Sequence, residues 1–140
     1  MKVITLGEIL LRLSTPEDVI LKSTKEFRVC YGGAEANVGI SLAHFWHDVS
    51  VATVLPQDNP LNEAVSSRLQ MNGVKTNLVA TEFGRLGTYF LEQGNAGRAS
   101  RVTYDRLYSS ISVLEELCWD LDKIFKGVDL LHISGIVPAL

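Results

Sequence analysis

The chain has 140 residues, 13 Lys and Arg against 16 Asp and Glu, and a net charge of −3. With 46% apolar and 21% charged residues it has the make-up of one folded domain rather than a disordered chain. The lack of a basic excess argues against nucleic-acid binding, and no stretch nears the roughly 20 apolar residues of a membrane span.

Val3 to Leu6 and Ile9 to Leu13 are short β-type runs separated by Gly7 and Glu8. The residues from Met1 to Glu8 lack the basic head and apolar core of a secretion signal. Ser14 to Lys25, with Pro16, reads as a loop, and Phe27 to Tyr31 returns to strand character before Gly32 and Gly33. Ala34 to Phe45 carries two apolar stripes at helical spacing, which predicts a helix buried on much of its circumference. Val49 to Leu55 is a continuous apolar run rich in β-branched residues, the pattern of a strand covered on both faces. Leu61 to Met71 reads as an amphipathic helix, closed by Gly73, and Asn77 to Ala80 as another strand. This β-helix-β-helix-β order predicts an α/β layer with a mostly parallel sheet.

The middle of the chain breaks that order. Leu86 to Leu91 and Arg101 to Tyr104 are strand runs joined by Gly94-Asn95-Ala96-Gly97, a hairpin signal. Ser112 to Lys126 then predicts a helix, with Ser112 as N-cap and Glu115 at the capping-box position. Val128 to Ile133 predicts a last strand of the buried type. Cys30 and Cys118 lack C-x-x-C spacing and read as reduced thiols, so a cytoplasmic location is expected. His44 and His47 have no further ligands at a suitable spacing, so no metal site is expected.

Three constellations carry the chemistry. The first is Tyr31-Gly32-Gly33-Ala34-Glu35-Ala36-Asn37. Paired glycines before a helix let a ligand approach backbone N–H groups, and Glu35 and Asn37 add acceptors and a donor suited to a polyhydroxylated molecule. The same residues also make an ordinary tight strand–helix turn. The second is the hairpin, where strand alternation puts Tyr104 and Arg106 on one face, opposite Tyr89. Such a face holds a small anion, since Arg pairs a carboxylate in bidentate fashion and phenols add hydrogen bonds; it is equally a surface of aromatic cross-strand packing. The third is His132-Ile133-Ser134-Gly135-Ile136, at the carboxyl end of a parallel-type strand, where ligands of open α/β sheets gather.

Gly7-Glu8, Gly32-Gly33-Ala34-Glu35 with Asn37, Leu86 to Leu91, Tyr104-Asp105-Arg106 and His132 to Leu140 together resemble the ribokinase-like (PfkB-type) carbohydrate kinases, in the order that family shows them. Within the family the resemblance is greatest to the 2-keto-3-deoxygluconate kinases. It implies an incomplete ribokinase-like α/β fold, a mostly parallel sheet with helices on its faces plus a small antiparallel β lid, with lid strands at about residues 9–31 and 86–106. It implies substrate contacts at Gly33, Glu35, Asn37, Tyr89, Tyr104, Arg106 and Ile136, with Arg106 facing the carboxylate of a sugar acid. It also implies ATP and Mg²⁺ as co-substrate and metal, a small-molecule sugar acid as partner, and self-association through the lid into a homo-oligomer.

The family's late Gly-rich motif, which supplies the catalytic Asp and an anion hole, does not occur in residues 1 to 140. The resemblance therefore covers the N-terminal half, the sugar side, with neither catalytic residue nor nucleotide or metal site. By this reading the chain alone does not turn over, and its last strand leaves an apolar edge. Trp46-His47 and Asn62 stand where the family often has glycine, with effects expected on stability and not on specificity. The competing readings are a kinase for a neutral sugar such as fructose or a nucleoside, a non-catalytic sugar-acid binding module, and a remnant without function.

Overall fold

Two four-stranded sheets organise the chain in a computed structural model that describes residues 1–135. Sheet A has β1 (Lys2–Leu6), β4 (Asp48–Pro56), β5 (Lys75–Glu82) and β8 (Leu130–His132) in the order β5-β4-β1-β8, and every pairing is parallel. β4 is buried at every position after Asp48, as its β-branched run requires. Helix α1 (Ala34–His44) packs on β1 and β4, and α2 (Leu61–Met71) on β5. Val3, Val49, Val51, Leu55, Val65 and Leu69 form one core between them. Gly39 lets α1 lie close to the sheet, because a Cβ there would stand 3.1 Å from Thr5 Oγ1 and 3.4 Å from both Val49 and Val51.

The two helices end in the same backbone motif. At α2 the Val74 N–H donates to Leu69 O and the Gly73 N–H to Gln70 O, with Gly73 at φ 77°. At α1 the His47 N–H donates to Leu42 O and the Trp46 N–H to Ala43 O, with Trp46 at φ 64° and its side chain in solvent.

Sheet B has the order β3-β2-β6-β7, from β2 (Leu10–Ser14), β3 (Arg28–Gly32), β6 (Thr88–Glu92) and β7 (Arg101–Asp105). The antiparallel lid expected from the sequence is a mixed sheet. Two antiparallel hairpins, β2–β3 and β6–β7, are joined by a parallel pairing of β2 with β6. β2 enters this sheet directly after β1 and β6 after β5, so each hairpin follows a strand of sheet A.

Two expectations change near the C-terminus. The helix expected over Ser112–Lys126 is present only as α3 (Leu121–Ile124). Ser112 does not cap it; its hydroxyl donates to Ser109 O (2.8 Å), closing a turn. The cap is Asp120, whose carboxylate accepts from the Lys123 N–H (3.2 Å). Trp119 donates its indole N–H to Leu78 O (3.0 Å), so a tertiary bond holds the stretch before α3 against β5 where a marginal local helix would have run. The strand expected as buried, β8, is the edge of sheet A among the described residues, with Leu130, Leu131 and Ile133 exposed. No helix of the described residues is long and apolar enough to cross a membrane.

Candidate functional site

The site begins where β3 hands over to α1. Gly33 is extended (φ −160°), so any residue could adopt its backbone, but no other residue fits: a Cβ there would stand 2.0 Å from the carbonyl oxygen of Glu8. The absent side chain presses the start of α1 against the β1–β2 connection and brings its first turn beneath sheet B. Asn37 sits on that turn, its N–H donating to Gly33 O (2.9 Å).

A cleft of about 370 Å³ lies between this turn and one face of sheet B. Gly33, Asn37, Tyr89, Tyr104 and Arg106 all line it. Tyr89 on β6 is directly opposite Tyr104 on β7, with ring centroids 5.8 Å apart at 41°. Arg106 follows β7, and its guanidinium donates to the carboxylate of Glu8. That carboxylate is sealed from water, and Gly87 makes room for it, since a Cβ there would be 2.6 Å from Glu8 Oε1. Burial pushes the Glu8 carboxyl above the usual carboxylate range, against the opposing pull of the Arg106 charge.

Glu35 is placed elsewhere. It does not line the cleft. Its buried carboxylate accepts from the N–H (3.1 Å) and the hydroxyl of Ser134, just past β8. Gly7 leaves the space for it, because a Cβ at Gly7 would stand 2.1 Å from Glu35 Oε2. Glu35 thus ties the start of α1 to the carboxyl ends of β1 and β8, joining the first constellation to the third. Ile136 lies outside the described residues.

The sequence reading gave no site role to three residues found here. Glu8 is the buried partner of Arg106, 98 positions away. Arg12 lines the cleft from β2, where Cys30 on β3 and Tyr89 on β6 flank it in register. Arg68 reaches the cleft from α2. A signal existed for Arg12: a charge inside the apolar run Ile9 to Leu13 needs a polar surface to face.

The cleft lining therefore holds three guanidinium groups, three phenols and one amide, and no carboxylate. Such a surface can take an anion that also carries hydroxyls. Among the described residues no three His, Cys, Asp or Glu side chains converge to hold a metal ion. The carboxylates of Glu8 and Glu35 are committed elsewhere, to Arg106 and to Ser134. These residues do not fit a metal–nucleotide site.

Comparison with known proteins agrees in one direction. The family model described as pfkB family carbohydrate kinase matches residues 1–140. The 2-dehydro-3-deoxygalactonokinase of Haloferax volcanii is 31% identical over 141 residues, covering 99% of this chain and 43% of that protein. The crystal structure of a 2-dehydro-3-deoxygluconokinase from Thermotoga maritima superposes with a TM-score of 0.93 at 47% identity, covering 100% of this chain and 43% of that one. A PfkB family carbohydrate kinase from Listeria grayi gives a TM-score of 0.90 at 42% identity, over 97% of this chain and 42% of that one. The chain thus spans less than half the length of these relatives.

Proposed function

The chain belongs to the pfkB family of carbohydrate kinases, and from that membership we propose that it carries the sugar side of a 2-keto-3-deoxygluconate kinase. The observation that carries this reading is the shared cleft, with Gly33 and Asn37 on its floor and Tyr89, Tyr104 and Arg106 on its roof. At Gly33 a sugar hydroxyl can come close to the backbone. Asn37 offers a donor and an acceptor to a second hydroxyl. The phenols of Tyr89 and Tyr104, held by their cross-strand contact, and the guanidinium of Arg106, held by Glu8, donate toward the acid end. Glu35 acts from behind by fixing α1, and Ile136 would complete the wall.

ATP with Mg²⁺ would supply the phosphoryl group, which goes to a primary hydroxyl of the sugar acid. The residues described here bind and orient that acceptor and hold neither nucleotide nor metal. In this reading the chain alone binds the sugar acid without turning it over. Self-association through sheet B belongs to the same proposal.

The experiment is calorimetric titration of the 140-residue chain with 2-keto-3-deoxygluconate and with fructose, beside a coupled assay for ATP consumption. The expected result is binding of the acid, weaker or no binding of fructose, and no turnover. Arg106→Ala should weaken the acid by about tenfold, as expected for loss of a charged hydrogen bond, and should weaken fructose less. Equal affinity of the parent chain for both sugars would favour the neutral-sugar kinase and overturn the proposal.

A further inference from the structure

Arg106 is a poor sole counter-charge for a carboxylate, because its own charge is already cancelled. Its guanidinium is bound to Glu8, and both side chains are largely buried, at 19% and 5% exposure. A carboxylate arriving beside such a pair meets a dipole with no net charge. The remaining Arg106 donors offset only part of the hydration it loses there.

Arg12 has the opposite status. It is half-buried in the centre of sheet B, on the strand between β3 and β6, and it lines the same cleft. It makes no salt bridge among the described residues, whereas Arg106 is paired with Glu8. Its flanking neighbours in register are Cys30 and Tyr89, which offer no carboxylate. A guanidinium held between two strands at the cleft, with an uncancelled charge, is preorganised for a planar anion.

Resting on the sugar-acid reading above, we infer that Arg12 is a further specificity-determining residue, supplying the net positive charge that selects a carboxylate-bearing sugar. The Arg106–Glu8 pair then orients the ligand through directed hydrogen bonds. Arg12 decides between acid and neutral ligands because its contribution is an uncancelled charge, half-buried where water screens it less than the charge of Arg68, which is exposed on α2. The division is chemical. Removing Arg12 takes away a charge without disturbing the buried pair, whereas removing Arg106 also strands Glu8.

The test titrates the 140-residue chain, Arg12→Gln and Arg12→Lys with 2-keto-3-deoxygluconate and with its neutral counterpart reduced at C1 to the alcohol. For Arg12→Gln the acid is expected to bind about tenfold more weakly and the neutral counterpart within about twofold, the size of one charge-assisted contact. Arg12→Lys keeps the charge without the fork, so it should recover part of the acid preference. Raising salt should erode the acid preference of the parent chain and not that of Arg12→Gln. Circular dichroism separates misfolding from lost contact, and Arg12→Lys carries the test if Arg12→Gln does not fold. If the parent chain prefers the acid and Arg12→Gln prefers it equally, the inference is wrong and the sugar-acid reading stands. If the parent chain binds neither ligand or does not discriminate, the sugar-acid reading fails and the inference with it.

Discussion

Sheets A and B each have four strands, but their side chains serve different ends. In sheet A, Val3, Val49, Val51 and Leu55 are all but sealed, and the strands are parallel under helices. In sheet B, β7 is exposed at every position, and the face toward α1 carries Arg12, Tyr89 and Tyr104. On the proposed reading, stability is concentrated in one sheet and recognition in the other. Substitutions should therefore move melting temperature or ligand affinity, and seldom both. Gly33 and the Glu8–Arg106 pair are the exceptions, since they join the two layers.

The largest effect should come from the middle of sheet A. Leu55→Ala empties a fully buried site and should cost about 3 kcal/mol, read as a lowered urea midpoint with an unchanged slope. The affinity of the folded fraction for the sugar acid should not change. Val102→Ala on β7, at 44% exposure, should cost less than about 0.5 kcal/mol. Equal losses at the two positions would contradict the division.

The next prediction probes the junction. Glu8 is raised above its ordinary value by burial, so the folded chain holds that proton more tightly than the unfolded chain does. The favourable contribution is present in full below the unfolded value near 4.5 and is lost as pH rises through the higher folded value. Glu8→Gln, which resembles the protonated form, should therefore gain on the parent chain as pH rises through that window. Thermal melts of both proteins from pH 4 upward measure the gap; a gap that stays constant refutes the assignment.

Much of sheet A was legible because its signals are local. The β-branched run before Leu55 and the glycine after Met71 each report on their own neighbourhood, and the observed β4 and α2 follow them closely. The shared face of Tyr89, Tyr104 and Arg106 was legible too, since alternation needs only the strand. What escaped was set by distant partners. Nothing near Glu8 announces Arg106, and nothing near Glu35 announces Ser134, which draws that carboxylate away from the cleft. The helix expected from Ser112 failed for the same reason, as the bond from Trp119 to Leu78 joins residues 41 positions apart. The parallel pairing of β2 with β6 is likewise a matter of chain path and not of local pattern.

Tyr104→Phe tests the recognition side alone. The side chain is 61% exposed, so stability should change by less than about 0.5 kcal/mol. The ring contact with Tyr89 survives, and only a hydroxyl is lost from the cleft. Affinity for the sugar acid should fall roughly fivefold, equivalent to about 1 kcal/mol for one hydrogen bond. An unchanged affinity would move the acid away from β7.

The smallest effect belongs to the end of α1, and the end of α2 supplies its control. Both helices close with the same pair of backbone hydrogen bonds and a left-handed residue, Gly73 in one and Trp46 in the other. A side chain in that conformation crowds the neighbouring carbonyl, and Trp46 recovers nothing by burial, being 94% exposed. Trp46→Gly should therefore stabilise the chain by about 0.7 kcal/mol, after allowing for the greater freedom of glycine in the unfolded state. That corresponds to a rise of roughly 2 °C in melting temperature. Gly73→Ala should shift it the other way by a similar amount, because the same carbonyl clash is then introduced at α2. Neither change lies near the cleft, so sugar-acid affinity should hold constant in both. A stabilised Trp46→Gly with altered affinity would show that α1 transmits strain from its C-terminal end to Gly33 and Asn37, and the separation of the two layers would then fail at the helix that joins them.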